Sequence, residues 1–329
     1  MLKRYSLHYR TVTGGAEKVP GHTVTMSSFA GTILSTDDFL TINTGLVTTE
    51  TTISLYNSSL FQTLDPASQL FESVRVMTAN RLATTGEEWT EIMARNNGGT
   101  YNNQWMVVDY NKVQEDGTLD PGALWVYEQL PGRTWAEDKT ADLRRLGYWI
   151  SYNRAHFPEA FALSGEENMT SLYGDYFSYK KSPRAVIMRR EQAGVVDEET
   201  MIQFMRYNDF QNDPAAVIEG CNNPVPAGSV ANRCDLTLHH TVCRWEEMDD
   251  MVGHKGYGAL DMKVINNRLL RSGQQFWAVA GPTYNEKLPP FSWTTTNLTD
   301  TPLYTPILTF DFTPHVHAWL LHGPSLTKN

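Results

Sequence analysis

Basic residues are scarce and scattered in this chain. Its 329 residues hold 27 Lys and Arg against 37 Asp and Glu, a net charge of −10, and no run of Lys or Arg exceeds two. With no basic stripe, nucleic-acid binding and electrostatic docking on anionic lipid both lack their footprint. Long apolar runs are missing as well: nothing approaches the ~18 consecutive apolar residues of a membrane-spanning helix. The opening Met-Leu-Lys-Arg-Tyr-Ser-Leu-His-Tyr-Arg has no apolar core for a signal peptide. Cysteine is limited to Cys221, Cys234 and Cys243, and the odd count leaves at least one thiol unpaired within the monomer. No Gly-x-Ser-x-Gly elbow, Walker loop or dinucleotide glycine pattern occurs, which removes the key part from serine lipase, NTPase and dehydrogenase readings. No repeat, low-complexity tract or linker divides the chain, so a single domain over residues 1–329 is expected.

What is present reads as globular. Hydrophobic residues make up 41%, with 13 Phe, 15 Tyr and 9 Trp, enough for a sizeable core. Residues 22–54 alternate as a meander of short strands, Thr23–Met26, Gly31–Leu34 and Phe39–Ile42, separated by turns at Asp37-Asp38 and Asn43-Thr44-Gly45. Residues 65–97 turn helical: Leu70, Phe71, Val74 and Met77 share a face with Pro66 near the start, and Trp89, Ile92 and Met93 follow Gly86. Strands are expected at Gln104–Tyr110 and Ala123–Gln129, closed by Pro131-Gly132. Helices are expected at 138–149 and 197–207, the latter opening on Asp197-Glu198-Glu199. Alternation returns at Leu260–Val264, Gln275–Ala280 and Leu308–Phe312. Strands, then paired helices, then strands imply an α+β chain with largely antiparallel sheets.

Several polar constellations have competing readings. His239-His240 with Cys243 and His254 offers zinc-ligand types, but the spacing fits no closed structural site, so no metal or other cofactor is expected. His315 and His317 share one strand face without a carboxylate partner, which favours surface or packing roles. The Asn102-Asn103 amides suit backbone satisfaction at the start of strand 104–110. Sequons at Asn57, Asn168 and Asn297 fit a secretory route.

One ordered series is more specific. ANRLA at 79–83, TYNNQWMVVDYNK at 100–112, YGDYFSY at 173–179, SPRA at 182–185, MRYNDF at 205–210 and LPPFSW at 288–293 together resemble the phospholipase B-like family of lysosomal and secreted N-terminal nucleophile hydrolases. The resemblance runs from about residue 20 to about residue 310. It implies a four-layer αββα sandwich and hydrolysis of acyl esters, phospholipids in the first place, through a cysteinyl acyl-enzyme. An N-acyl amide amidase and a non-catalytic lipid- or partner-binding homologue are the alternatives. The family's nucleophilic Cys and the His shortly after it correspond to positions before residue 1. The expectation is therefore an N-terminally truncated large-subunit body, inactive as it stands. Its partner would be the small N-terminal fragment of the precursor, and its location lysosomal or secreted with the signal peptide lost. The family's Cys-x-x-Cys ending at Cys221 has Ile218 at its first position, so Cys221 pairs differently or stays free.

Carried over from the resemblance, Asn153 matches the oxyanion-stabilising Asn, because an amide NH₂ donates to the developing charge. Arg184 matches the active-site Arg, a permanent cation that favours a thiolate and anchors oxygen anions. Thr51, in a segment that approaches the family's catalytic centre, is a candidate substrate-binding residue. The bland readings are a turn role for Asn153, an ion pair for Arg184 and a simple strand position for Thr51.

Overall fold

Short alternating segments build the largest layer. The computed structural model describes residues 2–12, 17–35, 38–298 and 306–318. Seven strands, β1 (Leu2–Ser6), β2 (Thr23–Ser27), β3 (Phe39–Ile42), β4 (Leu46–Thr52), β5 (Asn103–Asp109), β6 (Leu124–Leu130) and β7 (Arg133–Asp138), form one antiparallel sheet in chain order. Two helices, α1 (Glu72–Leu82) and α2 (Gly86–Ala94), lie between β4 and β5 in sequence. Next come α3 (Thr140–Leu146), α4 (Pro158–Ser164), α5 (Glu166–Tyr173), α6 (Pro183–Glu191), α7 (Glu198–Met205) and α8 (Glu246–Val252). The last described elements are β8 (Asp261–Val264), α9 (Asn267–Arg271), β9 (Phe276–Ala280), β10 (Phe291–Ser292), β11 (Thr309–Phe310) and β12 (His315–His317). The chain is thus mixed α and β with a large antiparallel sheet.

Period-two alternation sends successive side chains to opposite faces. Leu40, Ile42, Leu46, Trp105, Val107 and Tyr127 face α1 and α2, where they bury Val76, Ala79, Trp89 and Met93. Phe39 and Val47 point the other way, against Phe276 and Ala278 of β9. That strand belongs to a second sheet in the order β12-β9-β8. Its far side, Met262, Val264 and Val279, packs on Met201 and Ile202 of α7. Farther along the large sheet, Leu124, Val126 and Leu130 meet Ala155, Phe157 and Ala160. Both faces of the central strands are therefore covered, which is why β3 and β4 read as near-continuous apolar and threonine runs.

Several boundaries moved. Residues Gly31–Leu34 form a loop, not a strand, and β1 takes the place beside β2. Gly31, at φ 78°, turns the chain, and the Thr32 carbonyl then accepts from Lys3 Nζ at 3.0 Å and Tyr5 Oη at 2.8 Å. Of the expected Asp37-Asp38 turn, Asp37 lies outside the described residues. Pro66 opens a 3₁₀ turn, Pro66–Ser68, and not the helix itself. The expected helix at 138–149 shortens to α3 because residues through Asp138 extend β7. Asp197 does cap α7 in a capping box with Thr200.

Most of the ordered motifs are structural clasps. In ANRLA, Ala79 and Ala83 fill the core while Asn80 Oδ1 accepts from the Trp89 indole at 2.7 Å. Arg81 donates to the Gly21 carbonyl at 2.8 Å. Gly21 sits so close that a Cβ there would lie 1.9 Å from the Asn80 carbonyl oxygen. Asn103 is buried between the carboxylates of Glu50 and Glu72, and the Asn102 carbonyl takes the Ile53 N–H at 2.8 Å. Asn208 holds the Ala231 carbonyl at 2.7 Å, and Pro289 of LPPFSW accepts from buried Arg233 at 3.0 Å.

Cys221 pairs with Cys243, leaving Cys234 as a buried free thiol. Sequon residues Asn168 and Asn297 are exposed. The Asn57 amide nitrogen donates to Leu163 at 3.2 Å, and Thr299 of the third sequon lies outside the described residues.

Candidate active site

Two buried neighbours aim the site. Tyr152 and Ala185 share one apolar cluster with Ile187, Met188 and Val230, which brings Asn153 and Arg184, adjacent to them in sequence, face to face. Pro183 supplies the first turn of α6, where its missing N–H costs nothing. Thr51 and Thr52, at the end of β4, close the third side.

Arg184 Nη1 donates to Asn153 Oδ1, Nη2 donates to Asn232 Oδ1, and Nε reaches the Ser229 carbonyl at 3.4 Å. Asn153 Nδ2 donates to the Thr52 carbonyl at 2.9 Å, and its backbone N–H to Thr51 Oγ1 at 3.2 Å. Thr51 Oγ1 also lies 2.6 Å from Ser151 Oγ. Guanidinium only donates and a carbonyl only accepts, so these partners fix which end of the amide is oxygen. Nδ2 carries two hydrogens and Thr52 uses one. Asn153 has φ 61°, the left-handed region that Asn tolerates better than most residues. The turn reading of Asn153 therefore holds alongside whatever its amide does.

Arg184 departs from the ion-pair reading. Its hydrogen-bond acceptors are two amide oxygens and one backbone carbonyl, and no described carboxylate lies within ion-pair distance. Burial pushes its pKa below the usual guanidinium value, but Arg remains charged. Among the described residues, this cation has no carboxylate counter-ion. Tyr176, Tyr257 and Cys234 act on it electrostatically. The Cys234 thiol is pushed up, first by burial, and Cys221 and Cys243 are disulfide-bonded. None of the three offers the accessible thiolate that nucleophilic attack needs.

The segment carrying Asn153 runs between two buried carboxylates. Glu128 on β6 accepts the N–H groups of His156 and, at 3.1 Å, of Phe157, together with Gln104 Nε2. Glu166, at the start of α5, accepts the Ala155 N–H at 2.9 Å and lies 3.5 Å from Arg154. Burial pushes both carboxyls up to about 7, in Glu166 despite the opposing Arg154. His156, whose Nδ1 is 2.8 Å from Tyr179 Oη, is pushed down to about 4, chiefly by burial.

The other constellations lie elsewhere and are engaged. His239 lies against His254 with ring centroids 4.0 Å apart and the rings tilted by 37°. Both ring nitrogens of His254 face carbonyls, Thr237 at 2.9 Å and Thr296 at 2.7 Å. His315 and His317 lie side by side on β12 with tilted rings 4.4 Å apart, and His317 stacks on Phe276.

Thr51, Asn153 and Arg184 come together. Ser151, Asn232 and the two clamping glutamates escaped sequence reasoning. A Glu inside the apolar run of β6 was the one available signal, because a carboxylate there needs partners.

Comparison with known proteins places the chain in a family. The Phospholipase B family profile matches residues 1–317. Phospholipase B-like 2 of Homo sapiens is 41% identical over 300 residues, 90% of this chain and 50% of that protein. Phospholipase B-like 1 of Caenorhabditis elegans is 35% identical over 306 residues, 91% of this chain and 52% of that protein. Phospholipase B-like protein F of Dictyostelium discoideum is 36% identical over 296 residues, 89% and 50% of the two chains. The chain spans about half the length of these relatives. With a profile match across nearly its whole length and relatives in animals and an amoeba, the chain belongs to the phospholipase B-like family.

Proposed function

We propose that this chain is the body of an acyl hydrolase whose oxyanion donor is Asn153 Nδ2 and whose active-site cation is Arg184. The observation that carries the reading is the doubly anchored Asn153 amide. A guanidinium with no carboxylate partner among the described residues holds its oxygen, and a backbone carbonyl takes one of its two N–H groups. Donors fixed before reaction stabilise the charge that develops on a tetrahedral intermediate without reorganisation.

The nucleophile is a cysteine outside these 329 residues, exposed as the first residue of a processed chain and activated by its own α-amine. Its thiol proton passes to the amine while sulfur attacks the acyl carbon. The C–O bond to the leaving alcohol breaks as the amine returns the proton, and water then cleaves the thioester. Arg184 favours thiolate over thiol by Coulomb attraction.

Phospholipid acyl esters are the first substrate class, in keeping with the family name. The stacking of α1 and α2, the large sheet, the β8–β9–β12 sheet and α7 supports a four-layer αββα reading. The small N-terminal fragment of the precursor is the partner, and the compartment is lysosomal or extracellular.

The test is acyl release by the full-length protein from a diacyl phospholipid and, in parallel, from an N-acyl amide of the same chain length. Fatty acid released from phospholipid at a rate that Asn153→Ala lowers about 10²–10³-fold supports the reading. Release from the amide alone makes the protein an amidase. Vesicle binding with release from neither makes it a non-catalytic homologue.

A further inference from the structure

We propose that Glu128, and Glu166 acting through Arg154, are positioning residues that hold the Asn153 amide in its catalytic orientation; this rests on the oxyanion reading of Asn153. Strand register places Thr51, Gln104 and Glu128 side by side across β4, β5 and β6. This row lies under residues 151–157 and grips them at both ends. Thr51 Oγ1 takes the Asn153 N–H at one end, and Glu128 takes the N–H groups of His156 and Phe157 at the other. Gln104 Nε2 donates to Glu128, which ties the middle of the row to its end.

Between those grips lies Arg154. Nη1 donates to the Asn153 carbonyl at 3.0 Å and faces Glu166 Oε1 at 3.5 Å, and Nη2 donates to the Tyr176 carbonyl at 2.8 Å. Its guanidinium also lies over the Tyr176 and Phe177 rings, at 5.7 and 5.2 Å. Glu166 accepts the very next N–H, that of Ala155. Neither glutamate has any exposed surface. Asn153 sits at positive φ, a conformation that costs on the order of 1 kcal/mol and persists only when its surroundings hold it. The contacts on its own carbonyl and on the next N–H groups of the segment are what hold it.

The arrangement outweighs what stability alone asks for. A buried ion pair is often no better than apolar residues of the same volume. Here each partner instead ends on a backbone group of the segment that carries the oxyanion donor. A displacement of about 1 Å at such a donor costs on the order of 100-fold in rate.

The test uses the full-length protein with Glu128→Gln, Glu166→Gln and the apolar pair Arg154→Met/Glu166→Leu. Each is made with Asn153 present and again in an Asn153→Ala background. The apolar pair leaves no buried charge unpaired, so it keeps the fold if a single replacement fails, and a thermal melt checks folding for each. With Asn153 present, kcat is expected to fall about 10-fold or more with KM unchanged. In the Asn153→Ala background the same changes are expected to cost nothing further, because a positioning residue has no amide left to position. An equal fall in both backgrounds, or no fall in either, overturns the assignment for the residue concerned. Full activity of Asn153→Ala alone overturns the oxyanion reading instead, so the two failures are distinguishable.

Discussion

Asn153 and Arg184 touch, yet their losses are expected to leave different marks. Asn153→Ala deletes a donor that acts only as charge develops, so kcat is expected to fall about 10²–10³-fold in the full-length protein. It also leaves the buried Arg184 Nη1 donor and the Thr52 carbonyl without this partner and puts Ala at positive φ. A lower melting temperature is therefore expected beside the rate loss, and the protein is assayed below that temperature. Arg184→Lys keeps the charge but cannot reach Asn153 Oδ1, Asn232 Oδ1 and the Ser229 carbonyl with one ammonium. Its activity is also expected to fall. If the cation holds the nucleophile as thiolate, Arg184→Gln should move the acidic limb of the pH–rate profile upward, while Asn153→Ala should scale the rate and leave that limb in place. Superimposable limbs for the two variants would remove the electrostatic role from Arg184.

At the scale of elements, the site depends on what holds residues 151–157 over the sheet. Glu128→Ala strips three donors of their acceptor inside the protein, the N–H groups of His156 and Phe157 and Gln104 Nε2. A buried donor left unpaired costs about 1–3 kcal/mol, so a loss of roughly 3 kcal/mol or more is expected in the denaturant midpoint. A change within about 0.5 kcal/mol, typical of a surface substitution, would show that the carboxylate is not needed. The Cys221–Cys243 bridge closes a loop with a sequence separation of 22. Replacing both cysteines by serine is expected to cost about 3 kcal/mol by the chain-entropy estimate. Cys234→Ser leaves that bridge intact and should cost less.

The elements also show what could be read in advance. β3, β5 and β6 were legible because both faces are covered and apolar residues dominate them, with few polar interruptions such as Gln104 and Glu128. β1 was not, because Lys3 and Tyr5 look like a solvated start until their polar ends are seen on the Thr32 carbonyl. Thr51, Asn153 and Arg184 were legible only through the resemblance. Taken alone, Ser-Tyr-Asn and Pro-Arg are ordinary turn and helix-start sequences. Ser151, Asn232 and Glu166 were illegible because each works through a partner between 12 and 100 positions away, a separation no local pattern encodes.

Across the whole molecule, buried acids set the response to pH. Burial pushes Glu72, Glu128 and Glu166 from 4.5 up to about 7. Each raised carboxyl binds a proton more tightly folded than unfolded. Its contribution to stability is complete below about 4.5 and is lost as pH rises through about 7. His156, pushed from 6.5 down to about 4, has the opposite sign and loses its contribution as pH falls through that range. Asp213, held at about 2 by Arg190, matters only in stronger acid. Three large shifts oppose one between pH 5 and 7, so the melting temperature is expected to be higher at pH 5.5 than at pH 7.5. A curve rising steadily from 5.5 to 7.5 would contradict this. Low-pH stability also suits the lysosomal location proposed above. No linker divides the described residues, so limited proteolysis is expected to trim ends and loops without releasing two stable halves.

The most direct test is the structure of the full-length protein trapped by a long-chain acyl trifluoromethyl ketone, whose adduct with a cysteine thiolate carries a tetrahedral oxyanion. That oxygen is expected within hydrogen-bond distance of Asn153 Nδ2, with Asn153 Oδ1 still on Arg184 and the new sulfur–carbon bond made to a cysteine other than Cys221, Cys234 or Cys243. An adduct on any of those three, or an oxyanion held by other donors with Asn153 turned away, would contradict the account.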